Sequence, residues 1–504
     1  MLAERGRLLL TVVTDLLRRE LPGPRRLDEA RNTTGEQARA VRVRQALERL
    51  GPLYIKAGQV LATREDLIPS AVARELEHLH DQAAELPFAR MAPVLEDELG
   101  PRWRRRFGDF DTGRPLGCAS LAQAYAATLA DGTPVVVKVQ RPGITATMAA
   151  DMRLLRAAVR LLARRTPVLN ETIDFRAMLG VVFDAMRDEL DFTLEASNME
   201  RARVTAASAS GVEVPAVVHA TSRVLIQRRA PGTSIRDADP AAFKEEERER
   251  IGTDLLAFMY QGYFIDHYFH ADPHPGNVFV CPDGPTTLID WGMVGRIDRG
   301  LGRALMMTLL ALANNDAVAV ARTWPEMGRP TAWADISGFE QDMASLVPRL
   351  NAASIDELRF GASLAQLLRY STHRGIQTNP MIGILGKSFS NAEGAVRRLA
   401  PHLSVTDVLV EQTDRVVRHY AEQTLSRQQV GYTTLQLLSA LENSLPQLRS
   451  ALRSLSGGDL TVQHTAVTRR FSLADQHDRH RLWRTGERLL VPAAVAWLLS
   501  RRRG

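Results

Sequence analysis

Only two cysteines occur in 504 residues, Cys118 and Cys281, which excludes a disulfide framework and makes a reducing compartment the expected setting. Lysine is nearly absent as well: Lys56, Lys138, Lys244 and Lys387 stand against sixty arginines. Under that bias each surviving lysine is a candidate for a job that needs a compact ammonium and not a planar fork. Long apolar runs are missing too. The stretch 489–500 is short for a bilayer span, contains Pro492 and ends against Arg501, Arg502 and Arg503. Residues 8–13 are followed by Asp15 and arginines where a secretory signal would need a cleavage site, so none is expected. The net charge of +6 comes without a Lys/Arg block interleaved with aromatics. That argues against nucleic acid and favours an anionic membrane surface as partner. The expected location is cytoplasmic with peripheral membrane contact, and a homodimer is compatible with the sequence.

What is present centres on His270-Ala271-Asp272-Pro273-His274-Pro275-Gly276-Asn277, followed by Asp290-Trp291-Gly292. Asp272 and Asn277 have the spacing of a kinase catalytic loop, in which the Asp receives the acceptor's proton and the Asn holds magnesium. Two β-branched runs, 278–280 and 286–289, flank Pro282-Asp283-Gly284 and predict a hairpin that returns Asp290 beside Asn277. Zinc held by His270, Asp272 and His274 is the competing reading of this stretch.

Upstream, Gly117, Cys118, Ala119 and Ser120 form a loop of small residues before a strand, and Asp131-Gly132 turns into a second strand bearing Lys138. Small residues let backbone approach phosphates, and a strand lysine pairs with phosphates and a helix acid. Glu189, Asp191 and Glu195 are the candidate acids. Lys56 and Gln59, three apart in Lys56-Ala57-Gly58-Gln59, share one helix face. Strands are also expected at 214–217 and 223–227, with mostly helix after 241.

Together these motifs resemble the UbiB/AarF-type atypical kinase family over roughly residues 35–420. The resemblance implies an α+β, protein-kinase-like bilobal fold, with a small β-containing N-lobe and a helical C-lobe. It divides the chain into an N-terminal helical extension (1–100), an N-lobe with inserted helices (101–235), a C-lobe (236–425) and a helical tail (426–504). It implies ATP and Mg2+ as cofactors, with Lys138 paired to Glu195 and the phosphates, Asp272 as base, and Asn277 and Asp290 on magnesium. It also implies that Lys56 and Gln59 lie across the active site near Glu189 and Asp191, and that Gly117, Cys118, Ala119 and Ser120 cover the nucleotide. The expected function is ATP-dependent phosphoryl chemistry in isoprenoid quinone or membrane-lipid metabolism, with an isoprenoid lipid or quinone precursor as ligand. The alternatives are a small-molecule phosphotransferase of the aminoglycoside or choline kinase type, and a catalytically silent scaffold. Gly117 and Cys118 depart from the alanines usual in the family loop. Arg228 stands where the family often has glutamate.

Overall fold

The computed structural model describes residues 2–20, 33–62, 68, 70–79, 84–165, 175–208, 211–351 and 359–424. The expected tail, its apolar run 489–500, and most of the stretch Thr63-Arg64-Glu65-Asp66-Leu67-Ile68-Pro69 lie outside the described residues. One compact unit takes the chain to Val410, and a second begins at Glu411. Among the described residues no helix is long and apolar enough to cross a membrane.

The N-lobe is built on an antiparallel sheet of β1 (Phe107–Phe110), β2 (Gly117–Cys118), β3 (Ala122–Leu129), β4 (Pro134–Gln140), β6 (Val217–Ala220) and β7 (Val224–Arg228), in the order β1-β3-β4-β7-β6 with β2 on β3. Successive side chains of a strand point to opposite faces. In β4 this sends Val135, Val137 and Val139 into a core with Met91, Leu95, Trp103 and Tyr125. Lys138 is thereby left on the other face. The strand expected at 214–217 instead begins at Val217. Pro215 has no N–H to give a ladder, so pairing starts after it. A separate short strand, β5 (Val212–Glu213), precedes it and belongs to a different sheet.

Helices α1 (Leu2–Glu20), α2 (Thr33–Leu50), α3 (Pro52–Ala62) and α4 (Ser70–Glu77) form the extension, and α5 (Phe88–Leu99) leads into the lobe. Its inserted helices are α6 (Ile144–Arg165), α7 (Phe175–Glu189) and α8 (Phe192–Ser208). The middle of α3 is buried on two sides. Leu53 and Tyr54 join Met148, Phe183 and Met186 from α6 and α7 in one cluster, while Ile55 packs with Leu76 and Leu79 in another. A Cβ at Gly58 would lie 2.5 Å from Leu79 and 2.7 Å from Leu47, so this glycine sets how closely α3 approaches its neighbours. The face that remains carries Lys56.

The C-lobe runs through α9 (Glu245–Gln261), α10 (Arg299–Ala313), α11 (Ala317–Thr323), α12 (Ile336–Asn351), α13 (Phe360–His373) and α14 (Met381–Leu399), with α15 (Val405–Thr424) last among the described residues. After α9 a single π-helical turn, Gly262–Asp266, ends at His267 in the left-handed region (φ 51°) and delivers β9 (Tyr268–His270). Tyr263 from that turn stacks on Phe389 of α14, ring centroids 4.3 Å apart, and shares a 2.7 Å hydrogen bond with Ser388. Two small ladders then frame the loop 270–277. One pairs β9 with β12 (Val294–Arg296); the other pairs β10 (Val278–Val280) with β11 (Thr286–Leu288) through the expected hairpin, and β8 (Thr233–Ser234) lies on the other side of β10.

Glu393 of α14 is buried, and its Oε1 accepts from the Phe360 amide at 2.9 Å. Burial pushes its carboxyl up to about 7, against an ordinary 4.5, although backbone donors at Phe360 and Gly361 pull the other way. The unfolded chain therefore releases this proton first. Its contribution to stability is whole below about pH 4.5 and falls as pH rises toward about 7, by roughly 3 kcal/mol in total. Glu393→Gln should raise the melting temperature at pH 8 and leave it unchanged near pH 5. An equal offset at both pH values in thermal unfolding would show that the carboxyl does not titrate in this window.

Candidate active site

Lys138 sits at the centre of the site because three strands share its register. Gly117 pairs with Ala124 and Ala124 with Lys138, so the small-residue loop and the lysine occupy one rung of the sheet. Lys138 Nζ lies 2.5 Å from Glu195 Oε1 and 2.8 Å from Asp290 Oδ1. Burial works against its charge, but the two carboxylates outweigh it and hold its pKa above the ordinary lysine range. The Lys138 ammonium in turn holds Asp290 well below the usual carboxylate range, while burial raises Glu195. Asp290 has φ 63°, a left-handed conformation uncommon for a residue with a side chain. Trp291 fixes that turn: its indole donates to Leu288 O at 3.0 Å and its carbonyl accepts from Asn198 at 3.0 Å.

The loop 270–277 is held rigidly. Ile289 N donates to Asn277 O at 2.9 Å, which brings Asp290 back beside Asn277 as the hairpin predicts. His270 Nδ1 accepts from the Asp272 amide and its Nε2 faces Ile289 O, both at 3.1 Å, so the ring is a neutral Nε2–H tautomer. Burial lowers its pKa. His274 Nδ1 likewise accepts from Gly276 N at 3.0 Å. With both nitrogens of His270 engaged, the zinc reading loses a ligand. Asn277 is buried, and its Nδ2 donates to Asp272 O at 3.1 Å, which leaves its amide oxygen for a hard cation. A half-exposed carboxylate at Asp290 and an amide oxygen at Asn277 suit magnesium.

Asp272 is gripped by α14. Lys387 Nζ lies 3.1 Å from Oδ2, and Asn391 Nδ2 donates to Oδ1 at 2.5 Å. Burial opposes the charge on Asp272, but Lys387, His274 and Lys56 together lower its pKa. Nothing in the sequence singles out Asn391, and Lys387 stands out there only as a scarce lysine with no assigned partner.

Lys56 forms an ion pair with Glu189, and its ammonium approaches Met293 Sδ at 3.8 Å. A Cβ at Gly292 would lie within 3.9 Å of Glu189, Asp290 and Glu195 together, so the three acids converge around that glycine. Gln59 donates to Leu79 O at 3.1 Å, a contact that ties α3 to the end of α4. Asp191 accepts from the amide and hydroxyl of Thr193, at 3.0 and 2.7 Å, and so caps α8, whose first turn carries Glu195.

Ala119 and Ser120 curl back onto β3. Ala119 N donates to Ala122 O, Arg141 Nε donates to Ala119 O at 2.8 Å, and Ser120 is buried. A Cβ at Gly117 would meet nothing within 4 Å, so glycine there relieves no clash. Burial pushes the Cys118 thiol up, away from thiolate chemistry. Arg228 is exposed, and its backbone N–H is spent on Ala216 O.

The profile of the ABC1 atypical kinase-like domain matches residues 78–324. A probable protein kinase UbiB from Azotobacter vinelandii is 31% identical over 382 residues, 73% of this chain and 70% of that protein. A probable protein kinase UbiB from Aeromonas hydrophila is 32% identical over 376 residues, covering 73% and 68%. The structure of Rv3197 from Mycobacterium tuberculosis in complex with erythromycin is 25% identical, covers 70% of this chain and 89% of that one, and has a TM-score of 0.49. With the matching domain profile and the two UbiB relatives above 30% identity, the chain belongs to the ABC1/UbiB family of atypical kinase-like proteins.

Proposed function

We propose that this chain binds ATP with magnesium between its lobes and carries out slow hydrolysis or transfer of the γ-phosphoryl group, in isoprenoid quinone or membrane-lipid metabolism. The observation that carries the reading is Lys138 bridging Glu195 and Asp290 while the Asp272 loop stands alongside. In this reading Lys138 meets the nucleotide phosphates, and Gly117, Cys118, Ala119 and Ser120 bring backbone against them. Asn277 and Asp290 hold magnesium, which when bound neutralises charge on the phosphates. Asp272 receives the acceptor's proton. Lys56 and Glu189 close the extension over the site, Gln59 fixes α3, and Asp191 acts through the helix that carries Glu195.

The lipid assignment draws support from the net charge of +6 and from the extension, whose Lys56 pairs with Glu189 beside the site. The test is magnesium-dependent ATP turnover by the full chain with and without anionic liposomes, followed by mass spectrometry of co-purified lipid. Liposome-stimulated turnover with a bound isoprenoid supports the reading. Turnover indifferent to liposomes, together with a phosphorylated small molecule in a metabolite screen, would replace it with a small-molecule phosphotransferase.

A further inference from the structure

Each of the three lysines near the reacting groups meets a different acid: Lys138 meets Glu195 and Asp290, Lys56 meets Glu189, and Lys387 meets Asp272, the expected base. The loop around Asp272 supplies only imidazoles, and both nitrogens of His270 are engaged. The third ammonium comes from a distant part of the chain, 115 residues away, where Lys387 faces Asp272. Lys387 and Asn391 are one helical turn apart, so their side chains lie one above the other and each reaches a different oxygen of the same carboxylate.

The helix is also docked by contacts other than this pair. Ser388 donates to His270 O at 2.7 Å, Phe389 stacks on Tyr263, and Glu393 accepts from Phe360 N, all on other faces of α14. The side chains of Lys387 and Asp272 are 24% and 23% exposed, so solvent reaches the pair. A buried structural pair would be closed to solvent.

We propose that Lys387 is a catalytic residue of this site and that Asn391 is a positioning residue for Asp272. The inference rests on the phosphoryl-transfer reading above. In that reaction the acceptor oxygen forms a bond to the γ-phosphorus, and the bond from phosphorus to the bridging oxygen breaks. The electron pair leaves with ADP, and the acceptor's proton passes to Asp272. Lys387, within reach of Asp272 Oδ2, places a compact positive charge where the phosphoryl oxygens pass on their way to the acceptor, the electrostatic arrangement that gives most in a transition state. Asn391 sets the carboxylate's rotamer, and the incoming hydroxyl takes its place on Oδ1.

The test measures ADP release and MgATP-induced thermal stabilisation for the full chain and for Lys387→Met, Asn391→Ala, Asp272→Asn and the exposed control Lys244→Met. Lys387→Met should lower kcat about 100-fold, and Asn391→Ala about tenfold, with KM for ATP and the MgATP thermal shift close to the parent's. Lys244→Met should match the parent. No turnover in the parent, or parental turnover in Asp272→Asn, sinks the phosphoryl-transfer reading and this inference with it. If Asp272→Asn is inactive while Lys387→Met keeps kcat within twofold of the parent, only the assignment of Lys387 is overturned. Loss of the MgATP shift in Lys387→Met in step with turnover would overturn it too, by making the residue part of nucleotide binding or of the fold.

Discussion

Asp290→Asn is expected to abolish the thermal stabilisation that magnesium and ATP together confer, at little cost to the apo protein. Asparagine keeps the shape of the side chain and removes its charge. Around the site stand the carboxylates of Glu189, Glu195, Asp272 and Asp290 against the ammoniums of Lys56, Lys138 and Lys387. A polyanionic nucleotide therefore enters a region with no surplus of positive charge, and needs a divalent ion held by a formal negative ligand. Asn277 is neutral, so Asp290 supplies that charge. The apo protein tolerates the change because the Asp290 side chain is 52% exposed and Lys138 retains Glu195. With ligand at a hundredfold its Kd, saturating binding contributes about 2.7 kcal/mol, and this is the amount at stake. A titration in which Asp290→Asn shows the parent's shift with MgATP would remove the magnesium assignment.

Lys56→Ala should cost about 2–3 kcal/mol, less than the full penalty for breaking a buried pair because some solvent reaches the site. The side chains of Lys56 and Glu189 are only 13% and 16% exposed. Removing the ammonium takes one positive charge from the place where Glu189, Glu195 and Asp290 converge around Gly292. Repulsion then acts to lift α3 from the lobe. Lys56→Arg should not restore the parent, since a planar, longer head does not fit between Glu189 and Met293 Sδ. Lys244→Ala, at an exposed position ahead of α9, is the control. Chemical denaturation and MgATP affinity measured on all three variants decide it. If Lys56 and Lys244 substitutions behave alike, the KxGQ stretch is only a packed helix.

Much of this site was legible because its chemistry is local in the chain. Asp272, Asn277 and Asp290 lie within a short stretch whose Pro, Gly and β-branched residues dictate one loop and one hairpin, and the hairpin forms as expected. Lys138 was legible as a lysine on the strand that follows the small-residue loop. Lys387 and Asn391 were not, because their helix is a packing helix by pattern and their partner is fixed only by how α14 crosses the loop. That crossing depends on Tyr263, which leaves a π-helical turn that no periodicity announces. Gln59 and Asp191 illustrate the converse: their motifs stand out, yet their described contacts serve a helix end and a helix cap. A one-dimensional pattern marks which residues are unusual more readily than which neighbour they meet.

The scarcity of lysine has a practical side. Lys56, Lys138 and Lys387 are each drawn into carboxylate contacts, and Lys244 alone is exposed. An amine-reactive acylating reagent thus finds one freely accessible side-chain amine, which serves as an internal reference, and three that report on the same cleft. Peptide mapping of such a reaction, read as protection ratios with and without a ligand, needs no engineered label and carries almost no background from the rest of the surface.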